Sequence, residues 1–103
     1  MKISIIIPVF NERDSINQLY AEIVSGINAR DYEIIFIDDG STDGSAEAIE
    51  DLAKSNEKVT LIQFYRNYGK SAALSEGFKH CEGDYIVTMD ADLQDDPAEI
   101  DNL

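Results

Sequence analysis

The chain has 103 residues, enough for one small domain around a single core, and its 21 acids against 8 Lys and Arg give a net charge of −13 at pH 7. Such a balance leaves no basic patch and argues against nucleic acid or an anionic membrane surface as a direct partner. An anionic substrate would have to be held by a metal ion or by local backbone dipoles. The single cysteine, Cys81, rules out an internal disulfide and a cysteine-based zinc site, and it fits a reducing, cytoplasmic setting.

Ile3–Phe10 is an almost unbroken apolar, β-branched run, the pattern of a strand buried on both faces. The polar stretch Asn11–Asp14 reads as a loop. Ile16, Leu19, Tyr20, Ile23, Val24 and Ile27 then recur at helical spacing. Glu33–Ile37 reads as a second buried strand, halted by Asp38-Asp39-Gly40-Ser41, where Ser41 or Thr42 can cap the next helix. Ala46, Ile49, Leu52 and Ala53 mark that second helix. Val59–Tyr65 reads as a third strand, followed by the loop Arg66–Lys70. A third helix carries Leu74, Gly77, Phe78 and Cys81 on one face, which predicts a buried, inert thiol. His80 reads as a surface residue. Asp84–Met89 is the fourth strand, and Asp96-Pro97-Ala98-Glu99 has the order of an N-cap and first turn.

Strand and helix alternate four times, which predicts an α/β fold with a parallel sheet and right-handed crossovers, covered by helices on both faces. The polar clusters Pro8–Glu12, Asp38–Ser41, Arg66–Lys70 and Asp90–Gln94 all fall at the carboxyl ends of strands. Ligands of open parallel sheets bind there, where the strand order reverses. The expected order is 3-2-1-4. No run approaches the ~20 apolar residues of a membrane span, and no signal peptide is visible. The last helix has under two turns before Leu103, so the chain reads as the N-terminal part, residues 1–103, of a longer protein. Its fourth strand would be an apolar edge able to pair with a second copy.

Asp90 and Asp92 stand two apart in an extended segment, so both carboxylates face one spot, and Gln94 offers a neutral oxygen beside them. Two readings fit this spacing. One is a solvated acidic loop before a helix N-terminus; the other is an oxygen site for a hard cation such as Mg²⁺ or Mn²⁺. Asp38 and Asp39 also admit two readings, a turn with a cap or an acceptor for a nucleotide ribose or base. No glycine-rich dinucleotide or Walker loop occurs, and Lys70 is either a solvated residue at a helix start or a cation near phosphates.

The stretches "SIIIPVFNE", "IIFIDDGSTDGS", "YRNYGKSAAL" and "GDYIVTMDADLQDDP", in this order and spacing, resemble the N-terminal half of inverting family-2 glycosyltransferases of the GT-A fold. They look most like the polyprenyl-phosphate branch. The resemblance implies a Rossmann-like nucleotide-binding half with Pro8, Val9, Phe10 and Glu12 lining the nucleotide pocket. It places Asp39 on the nucleoside with Asp38 in support, Lys70 by the nucleotide, and Asp90 and Ala91 in the same wall. Asp90, Asp92 and Gln94 would hold the divalent ion, with Asp90 and Asp92 as the catalytic pair. The implied partners are a UDP- or GDP-sugar donor and a polyprenyl phosphate acceptor, with the full-length protein at the cytoplasmic face of a membrane. The missing acceptor half implies that this chain alone binds donor without efficient turnover. Two other readings are a Mg²⁺-dependent phosphoacceptor domain, which would want a key acid after the first strand, and a sugar-nucleotide-binding module without turnover.

Overall fold

A computed structural model describes residues 1–27 and 31–91. Within them strand and helix alternate as β1 (Lys2–Val9), α1 (Arg13–Ile27), β2 (Asp31–Asp38), α2 (Ser45–Ser55), β3 (Val59–Gln63), α3 (Lys70–His80) and β4 (Tyr85–Thr88). Every pairing is parallel and the strand order is β3-β2-β1-β4, as the alternation predicts. The helix expected from Pro97, and with it Asp92 and Gln94, lies outside the described residues.

The continuous apolar run of β1 follows from burial on both sides. Ile3, Ile5, Ile7 and Val9 pack with Ile16, Leu19 and Ile23 of α1 and Ile49 of α2. Ile6 faces the other way, joining Ile35 and Ile37 of β2 and Ala73 of α3. Alternate residues therefore serve opposite layers, as the two-residue repeat of a strand requires. Helix α3 lies very close to its layer: a Cβ on Gly77 would sit 2.5 Å from Ile6 Cγ2 and 3.0 Å from Ile37 Cδ1. Only a residue without a side chain lets the helix axis come so near.

Several boundaries differ from the sequence reading, each for a local reason. Helix α1 starts at Arg13, inside the expected loop, because N–H groups at its start find acceptors just before and at the start of α2: Glu12 N donates to Ser45 Oγ and Arg13 N to Asp43 Oδ2, both at 3.1 Å. Neither Ser41 nor Thr42 caps α2. Gly44 holds that position at φ 94°, and Ser41 Oγ instead accepts the Asn11 N–H. Strand β3 ends at Gln63; Phe64 N still reaches Asp38 O at 2.9 Å, but β2 has ended, and Tyr65 is 99% exposed. On α3 the expected buried face is only partly so. Phe78 is half-exposed, and Cys81 lies just past the helix end, partly buried, its thiol donating to Phe78 O at 3.2 Å. His80 is at the surface, beside Glu76 of the same helix.

Strand β4 pairs with β1 alone among the described strands, and Tyr85 and Ile86 on it are half-exposed. No described helix is long and apolar enough to cross a membrane.

Candidate functional site

With the order β3-β2-β1-β4, the connection leaving β1 goes to one side of the sheet and β4 joins on the other. The carboxyl ends of β1 and β4 therefore splay their loops apart, which leaves a crevice. The loops on the β3 side are tied together instead. Asn11 takes a left-handed φ of 52°, a conformation asparagine tolerates better than most residues. Its backbone N–H donates to Ser41 Oγ at 2.8 Å, and its side-chain Oδ1 accepts Thr42 N at 2.9 Å. Asp43 closes the same seam by accepting Arg13 N, Ser45 N and Ser45 Oγ. Burial pushes the Asp43 carboxyl up, but these bonds from Ser45 and Arg13 outweigh it and hold the group below its ordinary value.

A second knot ties the loop after β2 to the loop after β3. Asp39 Oδ1 accepts Tyr68 N at 2.7 Å, and Oδ2 accepts Gly69 N at 3.0 Å and Asn67 Nδ2 at 3.1 Å. The two loops also meet through Gly40, whose φ of 77° and contact with the Arg66 backbone leave no room for a Cβ. Asp39 is nearly buried, so this carboxylate is held by three donors in a setting where losing them would be costly. Its neighbour Asp38 is fully buried. Asp38 Oδ2 accepts Ser41 N at 3.3 Å, whereas Oδ1 has no hydrogen-bond partner among the described residues. Burial raises the Asp38 carboxyl above its ordinary value; the Ser41 bonds oppose this and the charges of Asp43 and Glu47 add to it.

The crevice holds a pocket of about 420 Å³ lined by Pro8, Val9, Phe10, Glu12, Asp39, Asn67, Gly69, Lys70, Asp90 and Ala91. Eight residues singled out in the sequence thus line one pocket: Pro8, Val9, Phe10, Glu12, Asp39, Lys70, Asp90 and Ala91. Asp38 is not among the lining residues; its side chain lies beneath the loop. Asn67 and Gly69 are lining residues that the sequence placed in the polar cluster Arg66–Lys70 without giving either a role of its own. Their signal was the Asn-x-Gly of "YRNYGK", a turn-forming pair placed just before a helix start, with Gly69 at φ 104°.

The lining combines apolar Pro8, Val9 and Phe10 with the acids Glu12, Asp39 and Asp90, and Lys70 is the cation among its residues. Lys70 Nζ donates to Asp90 Oδ1 at 2.7 Å. Among the described residues no group of three or more His, Cys, Asp or Glu side chains could hold a metal. The further donors implied by resemblance, Asp92 and Gln94, are outside them.

A family model described as glycosyl transferase family 2 matches residues 4–103. The chain is 40% identical over 104 residues to an undecaprenyl-phosphate 4-deoxy-4-formamido-L-arabinose transferase of Edwardsiella ictaluri, covering 98% of this chain and 32% of that protein. It is 44% identical to the protein of the same name from Pseudomonas fluorescens, covering 98% of this chain and 30% of that one. It therefore spans about a third of the length of the curated relatives it matches. Among solved structures, a mannosyltransferase from Pyrobaculum calidifontis in complex with GDP-Man and Mn²⁺ superposes with a TM-score of 0.80 at 30% identity, over 87% of this chain and 27% of that one. S. aureus TarS in complex with UDP-GlcNAc gives 0.77 at 25% identity, over 89% and 27%.

Proposed function

Since the chain belongs to glycosyltransferase family 2, we propose that its pocket is the donor half of an active site that transfers a sugar from a UDP- or GDP-sugar to a polyprenyl phosphate, with inversion and a divalent ion. The observation that carries this reading is the gathering of Pro8–Phe10, Glu12, Asp39, Lys70 and Asp90 around one pocket at the switch point of the sheet. The acceptor rests on the two curated relatives, whose names specify undecaprenyl phosphate. Those names also specify a pentose derivative, so the donor sugar is set between that class and a hexose by assay. The choice of a nucleotide sugar draws on the two solved neighbours, one with GDP-Man and one with UDP-GlcNAc.

In this reading each residue has a physical task. Pro8, Val9 and Phe10 give an apolar wall against which a base can lie with little desolvation cost. A carboxylate has about four acceptor sites, and three donors from the 67–69 loop already use Asp39. What is left, on Oδ1, suits a single N–H of a base. Lys70 meets diphosphate oxygens as a point charge on a flexible stem. Asp90, with Asp92 and Gln94, would hold Mg²⁺ or Mn²⁺, which supplies charge neutralisation for the departing diphosphate. Direct displacement inverts the anomeric carbon, and a phosphate acceptor arrives ionised, so no carboxylate base is required for attack. Orientation of that acceptor can be worth roughly 7–11 kcal/mol.

The test is calorimetry of UDP, GDP and their sugars with Mn²⁺, repeated in EDTA, followed by a glycolipid assay with the full-length protein and a short polyprenyl phosphate. We expect nucleotide affinity to fall at least about tenfold without metal, since a diphosphate in an acidic pocket then relies on Lys70 alone among its lining cations. Equal affinity in EDTA would remove the metal from the reading, and absence of glycolipid with every donor would remove the acceptor.

A further inference from the structure

The Asp39 knot carries a step beyond the donor reading, on which it rests: it bears on which base the pocket takes. Asp39 is 4% exposed, and its backbone N–H donates to Val9 O at 2.8 Å, which fixes the residue against the end of β1. Of its carboxylate oxygens, Oδ1 accepts Tyr68 N at 2.7 Å, whereas Oδ2 accepts both Gly69 N at 3.0 Å and Asn67 Nδ2 at 3.1 Å. Each oxygen offers about two lone pairs, so Oδ2 is full and Oδ1 keeps one site. Asn67 Nδ2 also donates to Asp39 O at 3.3 Å, and two acceptors on that side leave the amide one orientation. The other two donors are backbone groups of the loop; Asn67 alone gives a side chain to the knot. Asp39 and Asn67 both line the pocket, so the amide occupies an acceptor site beside it.

Uracil presents one N–H on its pairing edge, the imide N3–H, between two carbonyl oxygens. Guanine presents two side by side, N1–H and the 2-amino group. A carboxylate meets such a pair with both oxygens, as it meets the fork of a guanidinium. With Oδ2 full, Asp39 has one site for the first N–H and none for the second. We propose that Asn67 is a specificity-determining residue: by filling Oδ2 of Asp39 it sets the pocket for a base with a single N–H, uracil, against guanine. The donor class is then a UDP-sugar. Removing the amide frees a lone pair where the second N–H of guanine would arrive, so guanine gains and uracil does not.

The experiment is calorimetry of the full-length protein with Mn²⁺ and three nucleotides: UDP, GDP and inosine diphosphate, whose base is guanine without the 2-amino group. Wild type and Asn67→Ala are compared, with circular dichroism as the folding control. Wild type is expected to bind UDP and inosine diphosphate each roughly tenfold tighter than GDP, the cost of one donor left without an acceptor. In Asn67→Ala the gap between inosine diphosphate and GDP is expected to shrink to within about threefold. Wild type binding GDP as tightly as inosine diphosphate overturns the proposal and makes the Asn67 amide oxygen the acceptor of the amino group. An undiminished gap in folded Asn67→Ala overturns it as well, and both results leave the donor reading intact. The two purine nucleotides differ in wild type alone, so the comparison holds even where the variant does not fold. If none of the three nucleotides binds, the donor reading falls and the base preference with it.

Discussion

Each end of the sheet is tied by a carboxylate, and the two ties differ in what they hold. At the amino ends of the strands, Glu33 Oε2 accepts Ser4 Oγ at 2.5 Å and Glu82 N at 2.6 Å, while Ser4 Oγ accepts Gly83 N at 2.7 Å. That chain of bonds links β1, β2 and the turn into β4, all immediate neighbours in the sheet. At the carboxyl ends Asp39 gathers Asn67, Tyr68 and Gly69, which belong to the loop after β3, and draws them away from β4. The crevice between β1 and β4 stays open, and Lys70 is delivered to its rim. Similar hydrogen-bond chemistry thus fastens a turn at one end and positions a site at the other, because the strand order reverses between β1 and β4.

Removing Asp39 should break this arrangement most severely. Asp39→Ala leaves two backbone N–H groups and an amide without their acceptor, and at about 1–3 kcal/mol for each buried donor, partly relieved by water, a loss of about 3 kcal/mol is expected. Nucleotide affinity should fall by at least about tenfold as the loop carrying Lys70 loosens. Urea unfolding and calorimetry on the same preparation check both. A variant that loses affinity while keeping full stability would show that the knot does not hold the loop.

Next in size is Gly77→Ala, on the face of α3 between the two ends. Overpacking against Ile6 and Ile37 should cost about 1–3 kcal/mol, and a displaced α3 should carry Lys70 with it. Thermal melts give the stability, and calorimetry should show a smaller loss of affinity than for Asp39→Ala. Ala accommodated at no measurable cost would mean that the sheet yields to the helix.

Glu33→Ala sharpens the contrast from the opposite end. Two donors lose their acceptor in a partly solvated place, so a loss of about 1 kcal/mol is expected, with nucleotide affinity unchanged within about twofold. An affinity loss comparable to that of Asp39→Ala would show that the amino-end tie also shapes the pocket.

Much of this was legible in the sequence because the signals were strong and local. The double-sided burial of Ile3–Val9, the helical spacing from Ile16 to Ile27 and the polar strand ends fix the layers and the end of the sheet that carries the pocket. The Asp39 knot was not legible. Two of its three donors are backbone N–H groups, 29 and 30 positions away, which no side-chain pattern announces. The early start of α1 was hidden for the same reason, since its acceptors Asp43 and Ser45 lie some 30 positions away, just before and at the start of α2. For Asp38 and Asp39 the residues alone left two readings open, a turn with a cap or a nucleotide acceptor, although adjacent side chains of an extended segment must diverge. Which of them braces a loop at the pocket wall, and which is buried beneath, depends on how β2 meets β3.

That divergence gives the smallest effect and a distinct pH signature. Asp38 is buried with Oδ1 unpartnered, and its carboxyl is raised above the ordinary value of 3.8, with burial as the largest cause. An acid raised on folding binds its proton more tightly in the folded state than in the unfolded one. Its contribution to stability therefore declines as pH rises from 3.8 through the raised folded value, and is constant beyond that. Asp43 is the reverse case: lowered from 3.8, it supports the fold above that value and loses its contribution as pH falls through its folded value. The two windows lie on opposite sides of 3.8, so they can be separated. Asp38→Asn keeps an acceptor for Ser41 N and removes the buried charge. At neutral pH it should be at least as stable as wild type, and the gap should close as pH drops toward 4. Urea midpoints from pH 4 to 8 provide the comparison. A variant less stable than wild type at pH 7, or a gap that stays constant with pH, would mean that the Asp38 carboxylate is satisfied as an anion beneath the loop.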